Sequence, residues 1–285
     1  MSRLDWERDG QVWPHREASQ FLRAGRTEWH VQIMGPEDAP GCLLLHGTGA
    51  ASHSWRGLMP LLARRFRVIA PDLPGHGFSR AASMMQLSLS GMAQEVDALL
   101  TALNTRPGLG IGHSAGAPIM ARMALDGLAS PERIIAVNGA FLPFQGLAAQ
   151  IFPGIAKALI WNPFLPHMVA WSAAMDPAAA GRLLRSTGSA IEAEGIELYH
   201  LLFQSRVHVQ STLNMMARWD LDRLAADLPR FSIPTTLLIA EQDQTIPPAD
   251  QQKAADLIPG AEILTLPGLG HLAHEEAPEQ VAELV

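Results

Sequence analysis

An open α/β architecture, a mostly parallel sheet with helices on both faces, is what this sequence predicts. Short β-rich runs recur along the chain, and stretches with helical spacing of apolar residues lie between most of them. With 285 residues, 48% of them apolar, the chain is long enough for a substantial core, as one large domain or two small ones. We find no internal repeat and no low-complexity segment.

The first two runs, "QFLRAG" and "WHVQIMG", predict an antiparallel edge hairpin. Four strands follow in "CLLLHG" (42–47), "FRVIAPD" (66–72), "GLGIGHS" (108–114) and "RIIAVNG" (133–139), with a helix over 90–103 whose apolar positions are Met92, Val96, Leu99, Leu100 and Leu103. Two late strands are expected in "TTLLIAEQD" (235–243) and "AEILTLPG" (261–268). The alternation stops after Gly139 and resumes near Ile233, which predicts a core of residues 1–139 and 229–285 and an inserted helical cap, or lid, over 140–228. From Ala140 to Met175 the only formally charged residue is Lys157, while Phe141, Phe144, Phe152, Trp161, Phe164 and Trp171 fall there. Pro153, Pro163 and Pro166 break this run into pieces shorter than the roughly 20 residues of a spanning helix, which favours a lid over a membrane span. Such a lid could still touch a membrane surface.

Composition narrows the partners. The 28 acidic and 21 basic side chains give a formal charge of −7 without a long basic run, which argues against nucleic acid and for small molecules. The single cysteine, Cys42, excludes an internal disulfide and a Cys-rich metal site, and the start "MSRLDWERDG" lacks the apolar core of a signal peptide, so a cytoplasmic protein is expected. No metal or other cofactor is implied, since the histidines are scattered and none shows the i, i+4 pairing with a glutamate used in zinc hydrolysis.

The chemistry concentrates around "GLGIGHSAGAPIM". Ser114 stands between Gly112 and Gly116 on a strand-to-helix turn, where a serine can be held strained and exposed at the carboxyl edge of a sheet. The helix start brings the Ala115 N–H and a favourable dipole close to the serine oxygen. A serine hydroxyl needs a base, and His271 in "LPGLGHLAHEEAPEQV" follows the last strand to the same edge. Asp243 in "LLIAEQDQTIPP" ends the preceding strand and supplies the carboxylate that orients the imidazole. Thr48, after His46-Gly47, offers a second main-chain donor for an oxyanion. His46, His76 and Asp72 read as braces of loops, His113 as a ring turned away from the serine, and His274 as a solvated residue of the next helix. Asp220 and Asp222 are fallback acids more suited to a salt bridge or helix cap. Gly47, Phe141, Trp161, Trp171 and Trp219 are the candidate substrate contacts.

"HGTGA", "DLPGHGFS", "GHSAG", "EQDQTIP" and "GLGHLAHEEAPEQV" together resemble the α/β-hydrolase superfamily in order and spacing over nearly the whole chain. That resemblance implies the α/β-hydrolase fold and a Ser114–His271–Asp243 triad acting on an ester-like bond. Segments "WPHREASQFLRAGRTEWHVQIMG", "LNMMARWDL" and "RLLRSTGSAIEAEGIELY" look like the BchO family, magnesium-chelatase accessory proteins of bacteriochlorophyll synthesis. This narrower likeness implies a pathway, a hydrophobic porphyrin-like substrate and contact with magnesium chelatase. A non-catalytic porphyrin carrier assisting the chelatase is the alternative, and a serine-triad lyase or perhydrolase stays within the enzyme class. Dehalogenation is disfavoured because the elbow carries serine and not aspartate.

Overall fold

Apolar runs bounded by Gly, Pro and Asp become strands because fully buried parallel strands need side chains on both faces to be apolar. The computed structural model describes residues 3–143, 162 and 164–285. Among these, the hairpin is β1 (Ser19–Ala24) and β2 (Thr27–Met34), followed by β3 (Gly41–Leu45), β4 (Arg67–Pro71), β5 (Arg80–Ala81), β6 (Leu109–His113), β7 (Arg133–Val137), β8 (Thr235–Ala240) and β9 (Glu262–Leu266). They form one sheet in the order β1-β2-β4-β3-β6-β7-β8-β9, with β5 added to β2. Pairing is antiparallel among β1, β2, β4 and β5 and parallel from β4 to β9, so the edge hairpin and the parallel body both match expectation. Two-residue β5 was not foreseen, since Arg80 and Ala81 carry no strand signal of their own.

Core layers cover both faces. One gathers Leu43, Leu45, Ile69, Met92, Val96, Leu99, Ile119 and Met120 under the helices Leu89–Ala102 and Gly116–Leu125. Another gathers Leu44, Trp55, Leu58, Val68, Ile111, Val137 and Leu266 with the helix Leu58–Leu62. Cys42 is buried in this second layer, as expected of a structural thiol. Leu89–Ala102 starts at Ser88, whose hydroxyl accepts the Gly91 N–H at 3.1 Å, the usual way of satisfying an orphan donor at a helix start.

Between β7 and β8 the described residues fold into helices Leu165–Met175, Ala179–Ser186, Ala193–Phe203, Arg206–Arg218 and Leu221–Asp227. Leu165–Met175 packs on Arg206–Arg218 and Ala193–Phe203, while Leu221–Asp227 packs back on Gly116–Leu125. Asp220 caps Leu221–Asp227 by accepting the Arg223 N–H at 3.0 Å, and Asp222 lies in its first turn, which places both fallback acids in structural work. Among the described residues no helix is long and apolar enough to cross a membrane.

The carboxyl ends of β3, β6, β7, β8 and β9 line one edge, and the β6 end approaches β3 very closely. A Cβ added to Gly116 would lie 1.9 Å from the Leu45 carbonyl oxygen, and one on Gly112 2.4 Å from the Ala117 nitrogen. Backbone cannot yield as a flexible side chain can, so Gly116→Ala is expected to cost about 1–3 kcal/mol of overpacking strain. Urea unfolding of the variant measures this directly, and an unchanged midpoint would show that the elbow relaxes freely.

Candidate active site

Ser114 occupies the turn between β6 and Gly116–Leu125 with φ +48°, a left-handed conformation that costs a non-glycine residue roughly 1–2 kcal/mol. The turn is pinned on both sides: the Ser114 N–H donates to the Val137 carbonyl at 3.0 Å, and its carbonyl accepts the Ala140 N–H at 3.1 Å. Strand β7 therefore holds the strained residue at the sheet edge. Although the residue is only 8% exposed, its hydroxyl bonds to no other described residue and is free to turn.

His271 and Asp243 are in direct contact. His271 Nδ1 lies 2.8 Å from Asp243 Oδ2, and both residues are buried. A carboxylate can only accept, so Nδ1 carries a proton, and in the neutral ring Nε2 is the nitrogen with the lone pair. Asp243 is held in turn: Oδ1 accepts the N–H groups of Thr245 (2.8 Å) and Ile246 (2.9 Å), and Oδ2 also takes the Gln251 side-chain amide at 3.3 Å.

Asn138, at the end of β7 with φ +49°, ties the two loops together. Its Nδ2 donates to the carbonyls of Gly270 (3.1 Å) and His271 (2.9 Å), and its Oδ1 accepts the Ala240 N–H at 2.9 Å. His113 Nε2 donates to the same His271 carbonyl at 3.0 Å, with the two rings 4.8 Å apart. His113 thus connects the serine turn to the base loop, consistent with a ring directed away from the hydroxyl. A further clasp comes from Thr187–Ala190. The Thr187 carbonyl accepts the Gln244 N–H, Ser189 Oγ accepts the Leu272 N–H at 2.8 Å, and Glu276 receives the N–H groups of Gly270 and Ala190. Asn138, Gln251 and Ser189 were absent from the sequence candidates. Only the "NG" pair at 138–139 hinted at a special backbone position, and nothing local marked the other two.

The loop after β3 faces the turn. A Cβ on Gly47 would lie 2.8 Å from His113 Nδ1 and 3.1 Å from Ser114 Cβ, so glycine there permits the close approach. The main-chain N–H groups of Thr48 and Ala115 donate to no other described residue. His46 Nδ1 donates to the Gly47 carbonyl (2.8 Å) while its Nε2 accepts the Leu73 N–H (2.9 Å). His208 Nε2 donates to the Gly49 carbonyl (3.1 Å) while its Nδ1 accepts the Gly77 N–H (3.1 Å). Two imidazoles thereby fasten this loop to residues 73–77. Asp72 accepts the N–H groups of Ser52 and Phe78 and pairs with His30 Nδ1 at 2.8 Å, the bracing role expected. His76, whose Nδ1 donates to the Pro74 carbonyl at 3.2 Å, braces the same turn.

Five expectations need correction or limits. His274 is wholly buried, not solvated: its Nε2 bonds Ser54 Oγ at 2.7 Å, because the short helix Ala273–Glu276 turns inward under the loop after β3. Phe141 is 1% exposed within the core layer of Gly116–Leu125, so it contributes packing and not an open substrate wall. Trp171 is 62% exposed on Leu165–Met175 and points away from the interior. Trp219 is half-buried against the core with its Nε1 unpartnered among the described residues. Trp161, like Phe144 and Phe152, lies outside the described residues.

Six buried histidines, His46, His53, His76, His113, His208 and His274, are kept neutral. Burial is the largest cause for each and pushes the pKa down, to about 4 for His208. In the unfolded chain each returns to about 6.5. Below that pH the unfolded state binds more protons than the native one, so stability present above about 6.5 is lost as pH falls toward the folded values. The urea midpoint should therefore drop between pH 7.5 and pH 5, and an equal midpoint at both would contradict neutral burial. Among the described residues no group of three His, Cys, Asp or Glu side chains could hold a metal ion.

The model of the alpha/beta hydrolase family matches residues 42–284. The chain is 39% identical over 273 residues to the magnesium-chelatase 30 kDa subunit of Rhodobacter capsulatus, covering 96% of this chain and 95% of that one. It is 28% identical over 249 residues to the pyrrolizixenacetamide deacetylase of Xenorhabdus hominickii, covering 85% of this chain and 87% of that one. A hydrolase from Pseudomonas aeruginosa superposes with a TM-score of 0.72 at 24% identity, over 93% of this chain and 96% of that one, a likeness of fold.

Proposed function

Since the chain belongs to the alpha/beta hydrolase family, we propose that it is a serine hydrolase that cleaves an ester-like acyl bond with Ser114, His271 and Asp243, in magnesium-porphyrin metabolism. The observation that carries the reading is the Asp243–His271 contact of 2.8 Å, which orients the imidazole of a loop that follows β9, while Ser114 is held strained on the turn after β6. In the first step Nε2 takes the Ser114 proton as Oγ attacks the substrate carbonyl, and the Thr48 and Ala115 N–H groups receive the developing oxyanion. The imidazolium then gives its proton to the leaving alcohol, forming the acyl-enzyme. Water, deprotonated by the same nitrogen, attacks the acyl carbon, and the returning proton restores the serine.

The substrate class is supported by the similarity to the Rhodobacter capsulatus chelatase subunit and by the apolar character of the segment between β7 and β8. We read residues 140–228 as the lid over Ser114, a hydrophobic porphyrin-like ester as its occupant, and magnesium chelatase as a protein it meets. Exposed Phe164, Met168, Trp171 and Met175 supply a face for peripheral contact with lipid. Incubation of the purified protein with porphyrin methyl and ethyl esters tests the reading. Release of alcohol and free acid is expected, and failure to cleave any porphyrin ester while simple esters are cleaved would remove the porphyrin assignment and leave the hydrolase.

A second reading, a carrier that presents a porphyrin to the chelatase without turnover, is favoured by the naming of that relative as a chelatase subunit. Complementation of a deletion strain separates the two: the Ser114→Ala protein should fail if it hydrolyses and succeed if it carries.

A further inference from the structure

A cavity of about 550 Å³, of whose lining Ser114 is no part, is walled by Arg3, Arg23, Arg26, Glu28, Arg80 and Ser211 among others. Five separate segments build it: the amino-terminal stretch, the β1–β2 hairpin, the 73–77 turn, the start and end of β5, and the helix Arg206–Arg218. Four guanidiniums face one lining carboxylate, in a chain whose formal charge is −7.

The one acid is already committed. Glu28 Oε1 accepts from Arg23 Nη2 at 2.5 Å, and Oε2 lies 3.3 Å from Arg80 Nη1. Glu95, behind Gly25, spends its Oε2 on the Arg26 N–H (3.0 Å) and the Thr27 hydroxyl (2.8 Å). Neither Arg3 nor Arg26 makes a salt bridge within 4.0 Å among the described residues, and Arg3 feels Glu28 only through longer-range attraction. Arg3 is partly buried, and its pKa is pushed down first by burial and then by Arg80. Ser211, 7% exposed, adds a hydroxyl that has no hydrogen-bond partner among the described residues. Gly75 (φ +77°) makes room for it, since a Cβ there would fall 2.4 Å from Ser211 Oγ. Guanidiniums brought together without enough acid repel one another, and multivalent oxyanions relieve that repulsion through charge-assisted bonds.

We propose that this cavity is a binding site, distinct from the serine centre, for a small multivalent oxyanion bearing phosphoryl or carboxylate groups, held by Arg3 and Arg26 with the Ser211 hydroxyl. Arg23 and Arg80, oriented by Glu28, complete the positive wall.

Pyrophosphate and citrate serve as probes, titrated calorimetrically at low ionic strength into the full chain. Saturable one-to-one binding of at least one is expected, and the preferred probe tells phosphoryl from carboxylate recognition. Arg3→Gln and Arg26→Gln should each weaken it about tenfold, the loss of one charge-assisted contact. Neither residue makes a salt bridge and each adds to the crowding of positive charge, so without probe the variants should unfold at the parent midpoint or above it. Arg133→Gln, remote from the cavity, and Ser114→Ala should bind as the parent does. Absence of saturable binding by both probes, equal affinity in Arg3→Gln and Arg26→Gln, or loss of binding in Ser114→Ala would each overturn the assignment.

Discussion

Ser114→Ala is expected to lower turnover of an activated ester such as a p-nitrophenyl acyl ester by about 10⁴- to 10⁶-fold, the range in which removal of a triad serine falls. Alanine accommodates the same backbone at φ +48° with the same Cβ, so the fold and the Asp243–His271 pair should survive unchanged. What disappears is the only oxygen on the turn that His271 Nε2 could deprotonate. The drop should appear in kcat with little change in KM, because the hydroxyl bonds to no other described residue and a substrate loses little ground-state contact. Steady-state kinetics with a matched thermal unfolding curve measures both, and residual turnover within tenfold of the parent would show that another group attacks.

Asp243→Asn is expected to lower kcat by about 10⁴-fold through the tautomer of His271 alone. Two main-chain N–H groups, from Thr245 and Ile246, converge on Oδ1, so the asparagine oxygen must stay there. Its NH2 then occupies the place of Oδ2, facing His271 Nδ1 and the Gln251 amide. A donor at that point forces Nδ1 to give up its hydrogen, which moves to Nε2 and leaves no lone pair for the serine. The Gln251 side chain, now opposite another donor, also loses a bond. A variant that keeps more than a tenth of parent activity would mean that Asp243 does not set the tautomer.

How much of this could be read beforehand follows from the range of the forces involved. Strands β3, β4, β6, β7 and β8 were legible within a few residues because each is a largely buried apolar run closed by Gly, Pro or Asp, and β9, an edge strand buried only at Leu266, was legible as a β-rich run closed by Pro267 and Gly268. Ser114, Asp243 and His271 could be picked out because each lies within a few residues after the end of a parallel strand, and parallel strands deliver their ends to one edge. His274 was misplaced because its burial depends on Ser54, a partner 220 positions away that no local periodicity reports. Trp171 was misplaced for a related reason: its helix is apolar on nearly all sides, so spacing does not tell which side faces in. Of the side chains that hold main-chain groups at the base loop, Ser189 carries no motif and Asn138 only its pairing with Gly139.

The alpha/beta hydrolase fold, with its parallel strand ends and tight glycine-flanked turn, thus positions a hydroxyl, an imidazole and a carboxylate along one edge. Whether they act together is tested most directly by mass spectrometry after incubation with a fluorophosphonate. One phosphonyl adduct per chain, on the peptide carrying Ser114 and absent from Ser114→Ala, is the predicted result. An unlabelled parent protein, or equal labelling of the alanine variant, would contradict an activated nucleophile at this position.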